Sequence, residues 1–474
     1  MNIAIVGAGY VGLVTGLCLA DRKHQVICVD LDAGRIAQLN RGVLPLHEPG
    51  LDELLGRCLG KHFFPSTDLA DAVRRSDATL ITVGTPLEND AISLRYVENA
   101  AAGIGKCLSS VARYHVVVVK STVVPGTTEE CVRPILESTS AKKCGVDFGL
   151  GMNPEFLREG EAVNDFQTPD RIVLGAIDER SFETMAGIYA AFKDAVVIRT
   201  NVRTAEMIKY ASNALFATLI SFSNEIGNFC AVEPGVDAVD VMSALHSDRR
   251  ITTTAADGSR VVPALTSYLK AGCGFGGSCF PKDVRALIEW GSRRDRPARV
   301  LSAVLETNEK QPAEVLGLLK KHFPDLHGLR VAVLGLAFKP GTDDLRESPS
   351  LRVIARLLAE GAKVIAYDPV AAGPARVMID SANVSYATSL AEATVNVDAV
   401  LLLTAWPEFE ELPALLTESA NPPVVVDGRR MLDKTRMRRY EGIGLGSAQP
   451  AEVPLAASAA MLTPTVPARV DPAV

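Results

Sequence analysis

Residues 1–20 read MNIAIVGAGYVGLVTGLCLA, and this stretch decides the fold. The β-branched run NIAIV precedes Gly7, Gly9 and Gly12 in the pattern G-x-G-x-x-G, and the helical run YVGLVTGLCLA begins at Tyr10 and Val11. Glycines at these positions allow a tight turn and let the backbone approach a pyrophosphate at a helix N-terminus. The stretch therefore predicts a strand, a dinucleotide-binding turn and a helix.

The next strand selects the dinucleotide. QVICVD ends in Asp30, where dinucleotide-binding folds use a carboxylate to bind the ribose 2′-hydroxyl. A carboxylate there would repel a 2′-phosphate, so NAD is favoured over NADP, although Arg35 nearby weakens this preference. Thr85, Ser121 and Thr122 follow later strands at the edge where open α/β sheets bind ligands, and hydroxyls there are also common turn formers.

Alternation of β-branched runs with helical patterns extends the α/β prediction to most of the chain. We expect an NAD-binding domain of Rossmann type over 1–200 and a central helical domain with a long connecting helix over 201–310. A smaller Rossmann-like domain would follow over 311–445. Residues 446–474, rich in Pro, Ala and Ser, predict a disordered tail.

Bulk properties exclude several classes of protein. A chain of 474 residues with 47% hydrophobic content can form several cores. Its net charge of −7, without basic clusters, argues against nucleic acid and anionic membranes. No stretch is expected to reach the length of a membrane span, and no signal peptide is evident. Nine irregularly spaced cysteines argue against a disulfide framework or a zinc site and favour the cytoplasm.

The segment CGFGGSCFPKDVRALIEW carries the most specific chemistry. Cys279 follows a run of glycines, and Pro281 marks the start of a helix directly behind it. A cysteine at a helix N-terminus is expected to tend towards thiolate. Cys273 precedes the glycines and lacks such a helix. A nucleophilic thiol beside an NAD site predicts a four-electron oxidation, because a thiohemiacetal can lose a second hydride and become a thioester.

The order and spacing of several motifs resemble the UDP-glucose/GDP-mannose dehydrogenase family over residues 1–445. These motifs are GAGYVG, HEPGLDELL, VGTP, KSTVVPGT, NPEFLREG, EMIKYASNA, GFGGSCFPKD, FKPGTDDLRESPS, AYDP and DGR. The resemblance implies an NAD-dependent oxidation of a nucleotide sugar and a homodimer or larger homo-oligomer built on the long helix.

The resemblance also implies roles for single residues. Glu155 would activate water for thioester hydrolysis and Glu159 would lie near the nicotinamide, both on one face if their stretch is helical. Lys209 and Asn213 would stabilise the alkoxide and the tetrahedral oxyanion, Asp283 would help to hold water, and Thr122 would assist catalysis. Each of these residues has a plainer interpretation as a solvated side chain or part of an amphipathic helix. Further positions matched to the family are Lys282 and Arg346 for the cofactor, and Phe156, Leu157, Lys270, Phe275, Gly276, Lys339 and Arg429 for the substrate.

One departure from the family lies between DRRI and SYLKAG. The link ITTTAADGSRVVPALTSYLKAG is longer than the family's usual one. The arginine that would reach a neighbouring subunit's site is therefore open between Arg249, Arg250 and Arg260.

The substrate expected from AYDP and DGRRMLD is UDP-glucose, oxidised with two NAD and water to UDP-glucuronate. The same chemistry on GDP-mannose or a UDP-N-acetyl-hexosamine is the nearest alternative. A second alternative is a one-hydride 3-hydroxyacid dehydrogenase, but such an enzyme would need neither Cys279 nor a second nucleotide-binding half. A third alternative is a non-enzymatic NAD-binding scaffold, which would give Cys279, Lys209 and Glu155 no shared function.

Overall fold

The computed structural model describes residues 1–88, 91–417 and 421–447, so all but the first two residues of the predicted tail lie outside the described residues. The first sheet is built from strands β1 Asn2–Val6, β2 Gln25–Val29, β3 Phe63–Ser66, β4 Ala78–Ile81, β7 His115–Val119, β8 Phe148–Met152, β9 Arg171–Ala176 and β10 Val196–Thr200. Leu87–Glu88 (β5) and Ala91–Ile92 (β6) form a separate small hairpin. The helices of this part are α1 Tyr10–Asp21, α2 Ala33–Asn40, α3 Leu51–Cys58, α4 Leu69–Arg75, α5 Arg95–Leu108, α6 Arg133–Ser140, α7 Ala162–Gln167 and α8 Glu179–Ile188.

The strand order is β10-β9-β8-β7-β4-β1-β2-β3, and the sequence prediction of an α/β fold is confirmed. Its central strands are apolar on both faces because helices cover both sides of the sheet. The order reverses between β1 and β4, and the carboxyl ends of these strands form the crevice in which such sheets bind ligands. Strand β9 runs antiparallel to β8, so the sheet is not uniformly parallel.

Helices dominate the centre of the chain. They are α9 Val202–Val232, α10 Ala238–His246, α11 Phe280–Ser292 and α12 Arg299–Lys320. The unusual link contains a two-stranded hairpin, β11 Thr253–Thr254 and β12 Arg260–Val261, followed by a short 3-10 helix at Ala264–Tyr268.

Helix α9 corrects one sequence expectation. Its 31 residues, with a mean hydropathy of 1.2 in the most apolar window of 18, are long and apolar enough to cross a membrane. The expectation that no stretch reaches that length was therefore wrong. A third of that window is buried in the protein, and the helix packs against α11 and α12 while its buried face carries Glu206, Lys209 and Asn213.

The last part repeats the first architecture on a smaller scale. Its strands are β13 Arg330–Leu334, β14 Lys363–Tyr367, β15 Val384–Tyr386, β16 Ala399–Leu402, β17 Val424–Asp427 and β18 Tyr440–Gly442, in the order β15-β14-β13-β16-β17-β18 and all parallel. Its helices are α13 Pro349–Ala359, α14 Ala372–Met378, α15 Leu390–Ala393 and α16 Leu412–Thr417. Asp368, after β14, accepts hydrogen bonds from the backbone N–H groups of Leu336 and Ala337, as Asp30 does from Ala8 in the first sheet.

Candidate active site

A cavity of about 650 Å³ joins the three parts of the chain. It is lined by residues from the loop after β8, from α9, from the start of α11 and from the loop after β13, including Asn153, Glu155, Phe156, Leu157, Glu159, Lys209, Asn213, Gly276, Ser278, Cys279, Phe338 and Lys339. This volume suits a small organic substrate. The aromatic side chains of Phe216, Tyr268 and Phe280, which the sequence reasoning did not select, also line it.

Cys279 lies at the N-terminus of α11, in the N-cap position. Its Sγ lies 3.5 Å from the Oγ of Ser278. Burial raises the pKa of the Cys279 thiol to about 11; Lys209 opposes this shift, while Asp283 and Glu155 add to it. The expectation of a resting thiolate is therefore wrong for this structure, since burial and the two carboxylates outweigh Lys209. A base has to remove the proton before the sulfur can attack.

Lys209 and Glu155 form a buried ion pair in the cavity. The Nζ of Lys209 lies 2.8 Å from the Oε1 of Glu155, and the two side chains are 4% and 7% exposed. Burial acts to raise the pKa of Glu155, but Lys209 and a backbone N–H bond from Leu157 outweigh it, and the net shift is downward. Burial likewise acts to lower the pKa of Lys209, yet Glu155, Cys279 and Asp283 raise it. Both groups are thus held charged beside the thiol, unlike solvated surface residues.

The stretch that carries Glu155 and Glu159 is a loop and not a helix. The expectation that helical spacing aligns the two carboxylates is therefore wrong, because residues 153–158 have no regular secondary structure and a turn follows at Gly160, where φ is +83°. Both residues nevertheless line the cavity. Burial and the nearby Asp344 raise the pKa of Glu159 to about 7.

Asn213 and Asp283 form a second polar pair behind the thiol. The Nδ2 of Asn213 donates to the Oδ2 of Asp283 at 2.6 Å, and the Nζ of Lys282 lies 2.5 Å from the Oδ1 of Asp283. Lys209 and Asn213 both project from the buried face of α9, as the four-residue spacing predicts. Asp283 is only 1% exposed, so its position is fixed by these two donors.

The glycine-rich loop before Cys279 is held by amides that the sequence reasoning missed. Asn308 on α12 accepts from the backbone N–H of Phe275 and donates to its carbonyl, at 2.7 and 3.0 Å. Asn224 accepts from the N–H of Gly272, whose carbonyl accepts from Gln311. The Phe275 side chain packs in the core instead of facing the cavity. These amides are far apart in sequence, so local patterning gave no signal for them.

Two glycines of this loop make room for the last part of the chain. A Cβ on Gly276 would lie 2.3 Å from the carbonyl oxygen of Glu347, and one on Gly277 would lie 2.8 Å from the Phe338 ring. Gly277 also has a φ of +82°, which disfavours other residues. The loop after β13 therefore closes directly over the segment that bears the thiol.

The cofactor turn fits a dinucleotide. A Cβ on Gly12 would lie 1.8 Å from the carbonyl oxygen of Gly7, whereas one on Gly9 would meet no atom within 4 Å. Gly9 caps α1 without a side-chain hydrogen bond, so the first N–H groups of that helix are free to bind an anion. The residues present therefore suit a pyrophosphate held by backbone at Gly9, Tyr10 and Val11.

The polar side chains around the cofactor turn either hold the turn or join neighbouring strand ends. Asp30 accepts from the backbone N–H of Ala8 at 2.7 Å and pairs with Arg35 at 3.4 Å. The Thr85 hydroxyl donates to the carbonyl of Thr122 at 2.9 Å, and the Ser121 hydroxyl donates to the carbonyl of Val83 at 2.7 Å. Asp30 thus positions the glycine turn, and the hydroxyls of Thr85 and Ser121 join adjacent strand ends.

Gly9→Ala should weaken cofactor binding without disturbing the fold. The new methyl group meets no protein atom but occupies the approach to the N-terminus of α1, so we expect NADH to bind roughly tenfold more weakly, about 1.4 kcal/mol. Fluorescence titration of NADH measures the affinity. Gly56→Ala, in α3 and equally open, is the matched control and should bind normally. Unchanged affinity in Gly9→Ala would contradict the assigned pyrophosphate site.

Glu48, within the motif HEPGLDELL, links the cofactor turn to the catalytic loop. Its carboxylate is 2% exposed and accepts from the N–H groups of Gly160 and Ala162, both at 2.7 Å, and from the Tyr10 hydroxyl. The sequence reasoning used this motif only for the resemblance and gave the glutamate no role. Glu48 was overlooked because its partners Gly160 and Ala162 are more than a hundred positions away in the sequence.

The remaining basic candidates lie in different surroundings. Lys339 lines the cavity, where burial lowers the pKa of its ammonium and Glu159 opposes the shift. Arg346 pairs with Asp344 at 2.7 Å and lies 3.4 Å from Glu159. Arg429 donates to the carbonyls of Leu403 and Gly274, which places it against the glycine-rich loop. Lys270 is exposed and does not line the cavity.

Of the three arginines left open, Arg250 pairs with Asp248 at 2.5 Å and Arg260 lies in the exposed strand β12. The arginine that would reach a neighbouring subunit's site stays open between Arg249, Arg250 and Arg260. All nine cysteines are free, and within the described ranges no group of three or more His, Cys, Asp or Glu side chains is placed to hold a metal ion.

Family models and known proteins match almost the whole length of the chain. Models of the UDP-glucose/GDP-mannose dehydrogenase family match residues 1–193 with the NAD binding domain, 203–310 with the central domain and 332–434 with the UDP binding domain. A UDP-glucose 6-dehydrogenase of Haloferax volcanii is 42% identical over 94% of this chain and 100% of its own length. A GDP-mannose 6-dehydrogenase of Pseudomonas putida is 42% identical over 78% of this chain and 81% of its own. The structure of a UDP-glucose dehydrogenase from Pyrobaculum islandicum superimposes with a TM-score of 0.84 at 40% identity, covering 94% of this chain and 97% of that one.

Proposed function

The chain belongs to the UDP-glucose/GDP-mannose dehydrogenase family and is an NAD-dependent oxidoreductase, and from that premise we propose that it converts UDP-glucose to UDP-glucuronate through a thioester on Cys279. One observation carries the mechanism. A nucleophilic thiol, a buried Lys–Glu pair and Asn213, which is hydrogen-bonded to the buried Asp283, share one cavity with the end of the cofactor sheet.

Relatives favour UDP-glucose over the alternatives, although the structure of a GDP-mannose dehydrogenase from Pseudomonas aeruginosa also covers 94% of this chain, at 36% identity and a TM-score of 0.52. The Haloferax and Pseudomonas putida proteins are equally identical to this chain, but the one named for UDP-glucose aligns over 94% of it and the one named for GDP-mannose over 78%. Solved dehydrogenases named for N-acetylated sugars, such as the UDP-N-acetyl-mannosamine enzyme of Staphylococcus aureus, are about 25% identical. UDP-glucose is therefore the proposed substrate.

In the first oxidation, the C6 hydroxyl passes its proton to the Glu155 carboxylate, which releases it to solvent before hydrolysis, and the Lys209 ammonium and the Asn213 amide stabilise the alkoxide that forms. Bound NAD supplies the hydride acceptor for each of the two oxidations. Burial keeps water away from Lys209, so its charge acts at low dielectric on an oxygen within reach.

In the second oxidation, the Cys279 sulfur bonds to the aldehyde carbon and the carbonyl oxygen becomes an oxyanion beside Lys209 and Asn213. Loss of hydride from this thiohemiacetal leaves a thioester. Glu155 then takes a proton from water as the water oxygen attacks the thioester carbonyl. Its lowered pKa keeps Glu155 ionised, and therefore able to act as a base, at neutral pH.

The stoichiometry of NADH formation tests this proposal. Purified protein with excess NAD is supplied with UDP-glucose, GDP-mannose, a UDP-N-acetyl-hexosamine or a 3-hydroxyacid, and NADH is counted per substrate consumed. Two NADH per UDP-glucose is the expected result. A ratio of one, or turnover only with another substrate, would contradict it.

We also propose a homodimer through helix α9. Its outer face presents Leu215, Phe222, Phe229 and Val232, which are 51%, 48%, 61% and 81% exposed and lie on one side of the helix by their spacing. An apolar stripe of this kind on a long helix suits an identical helix from a second copy. The free cysteines support a reducing location such as the cytoplasm.

Charge on this stripe should separate the subunits. In the double variant Phe222→Glu/Phe229→Glu, two carboxylates would be buried without partners in a dimer, so light scattering should give the mass of one chain. Val377→Glu alters a still more exposed apolar residue, on α14, and should leave the dimer intact. A parental protein with the mass of a single chain would refute the proposed dimer.

A further inference from the structure

Ser278 and Glu159 lie where a base for the thiol is needed. The Ser278 Oγ lies 3.5 Å from the Cys279 Sγ on one side and 3.3 Å from the Glu159 Oε1 on the other. The other oxygen of Glu159, Oε2, is buried and has no hydrogen-bond partner among the described residues. A hydroxyl between a thiol and a carboxylate can pass a proton from one to the other, because it both accepts and donates.

We propose that Glu159 is the general base that activates Cys279, with Ser278 as the relay between them. This inference rests on the proposed function for the purpose of the thiol, and it adds to that function a proton path. The path does not pass through Lys209 or Glu155.

The proton balance is complete. As the Sγ bonds to the aldehyde carbon, the thiol proton moves to the Ser278 Oγ and the Ser278 proton moves to the Glu159 Oε1. When water later cleaves the thioester and the sulfur leaves, Glu159 returns its proton through Ser278 to the Sγ. The water proton goes to Glu155. Glu159 therefore exchanges only the thiol proton, and its role does not compete with that of Glu155.

The other two carboxylates that act on the Cys279 thiol fit less well. Glu155 is held by the Lys209 ammonium and by the N–H of Leu157, and Asp283 is held by Asn213 and Lys282. Among the described residues neither carboxylate has a hydrogen bond to the Cys279 thiol or to the Ser278 hydroxyl, whereas Glu159 accepts from Ser278 at 3.3 Å. Glu159 has a weaker cationic contact, with Arg346 at 3.4 Å, and Arg346 is shared with Asp344 at 2.7 Å.

The charges that face this path come from several elements. Glu159 faces Asp344, Arg346 and Lys339 from the loop after β13, and Tyr10 lies near it at the start of α1. Cys279 faces Lys209 on α9, Asp283 on α11, Glu155 in the loop after β8 and Arg346. Burial and Asp344 raise the pKa of Glu159 to about 7, so Glu159 is ionised and competent as a base above that pH and protonated below it.

The rate of alkylation of Cys279 by iodoacetamide, measured on the whole protein without substrate or cofactor, tests the path. The parental rate should rise through a step near pH 7, well below the thiol pKa of about 11. Ser278→Ala and Glu159→Gln should remove the step and slow alkylation at pH 8 by about tenfold or more. Ser278→Thr keeps the hydroxyl and should retain the step. Mass spectrometry of peptides assigns the label to Cys279.

Two outcomes would overturn the path. One is a step at pH 7 that persists in Ser278→Ala, and the other is a parental profile that rises only near pH 11. Equal thermal melting temperatures of Ser278→Ala and Ser278→Thr would exclude a folding defect as the cause of a lost step. Because the assay uses neither NAD nor sugar, its result is independent of the stoichiometry test, and either proposal can fail alone.

Discussion

Cys279→Ser should form no measurable UDP-glucuronate, a loss of about 10³-fold or more, while NADH still binds with parental affinity. A serine hydroxyl in the same position is far less acidic than a thiol and adds to the aldehyde less readily, and the ester left by hydride loss from its hemiacetal is hydrolysed more slowly than a thioester. The cofactor turn at Gly7 to Gly12 belongs to another part of the chain and is unchanged. Chromatography of products and NADH titration measure the two properties separately.

Cys273→Ser is the matched control for this variant. Cys273 lies six residues earlier and is fully buried, and its Sγ lies 3.3 Å from the carbonyl oxygen of Leu403, which a serine hydroxyl can also approach. We expect this variant to keep both its activity and its ratio of two NADH per substrate. Acid formation by Cys279→Ser at the parental rate would show that the oxidation does not pass through a thioester at this residue.

The sequence predicted those features that depend on local pattern. The glycine turn and the start of α11 behind Cys279 each carry a signal within a few residues, and both lie where they were predicted, while the ribose contact of Asp30 stays a prediction. Strands such as β3, β15 and β18 carry little local signal, because they are short and lack long β-branched runs.

What the sequence could not give is the set of contacts between distant segments. Dipole arguments at a helix start predicted a thiolate, but burial, Asp283 on the same helix and Glu155 from a distant loop raise the pKa of Cys279 instead. Asn308, Gln311 and Glu48 support the site from far along the chain. Each looks like an ordinary polar residue until the fold brings it to its partner.

Lys209→Met should lower both stability and turnover, and a second substitution can separate the two losses. Removing the ammonium leaves the Glu155 carboxylate buried, with Lys120 as its remaining cationic neighbour, which should cost about 3–5 kcal/mol in unfolding free energy. Turnover should fall about 10²–10³-fold, because the oxyanion loses its nearest positive charge. Chemical denaturation and steady-state kinetics measure these effects.

The double variant Lys209→Met/Glu155→Gln decides whether the pair is catalytic or only structural. It removes both buried charges together, so most of the lost stability should return, since an uncompensated buried charge is the main cost. Turnover should stay as low as in the single variant, because neither the cation nor the base is restored. Lys310→Met/Glu306→Gln, an exposed pair on α12, is the control and should change neither property. If the double variant recovered turnover along with stability, Lys209 and Glu155 would serve folding alone, and the oxyanion would have to be stabilised by Asn213 and the N-terminus of α11.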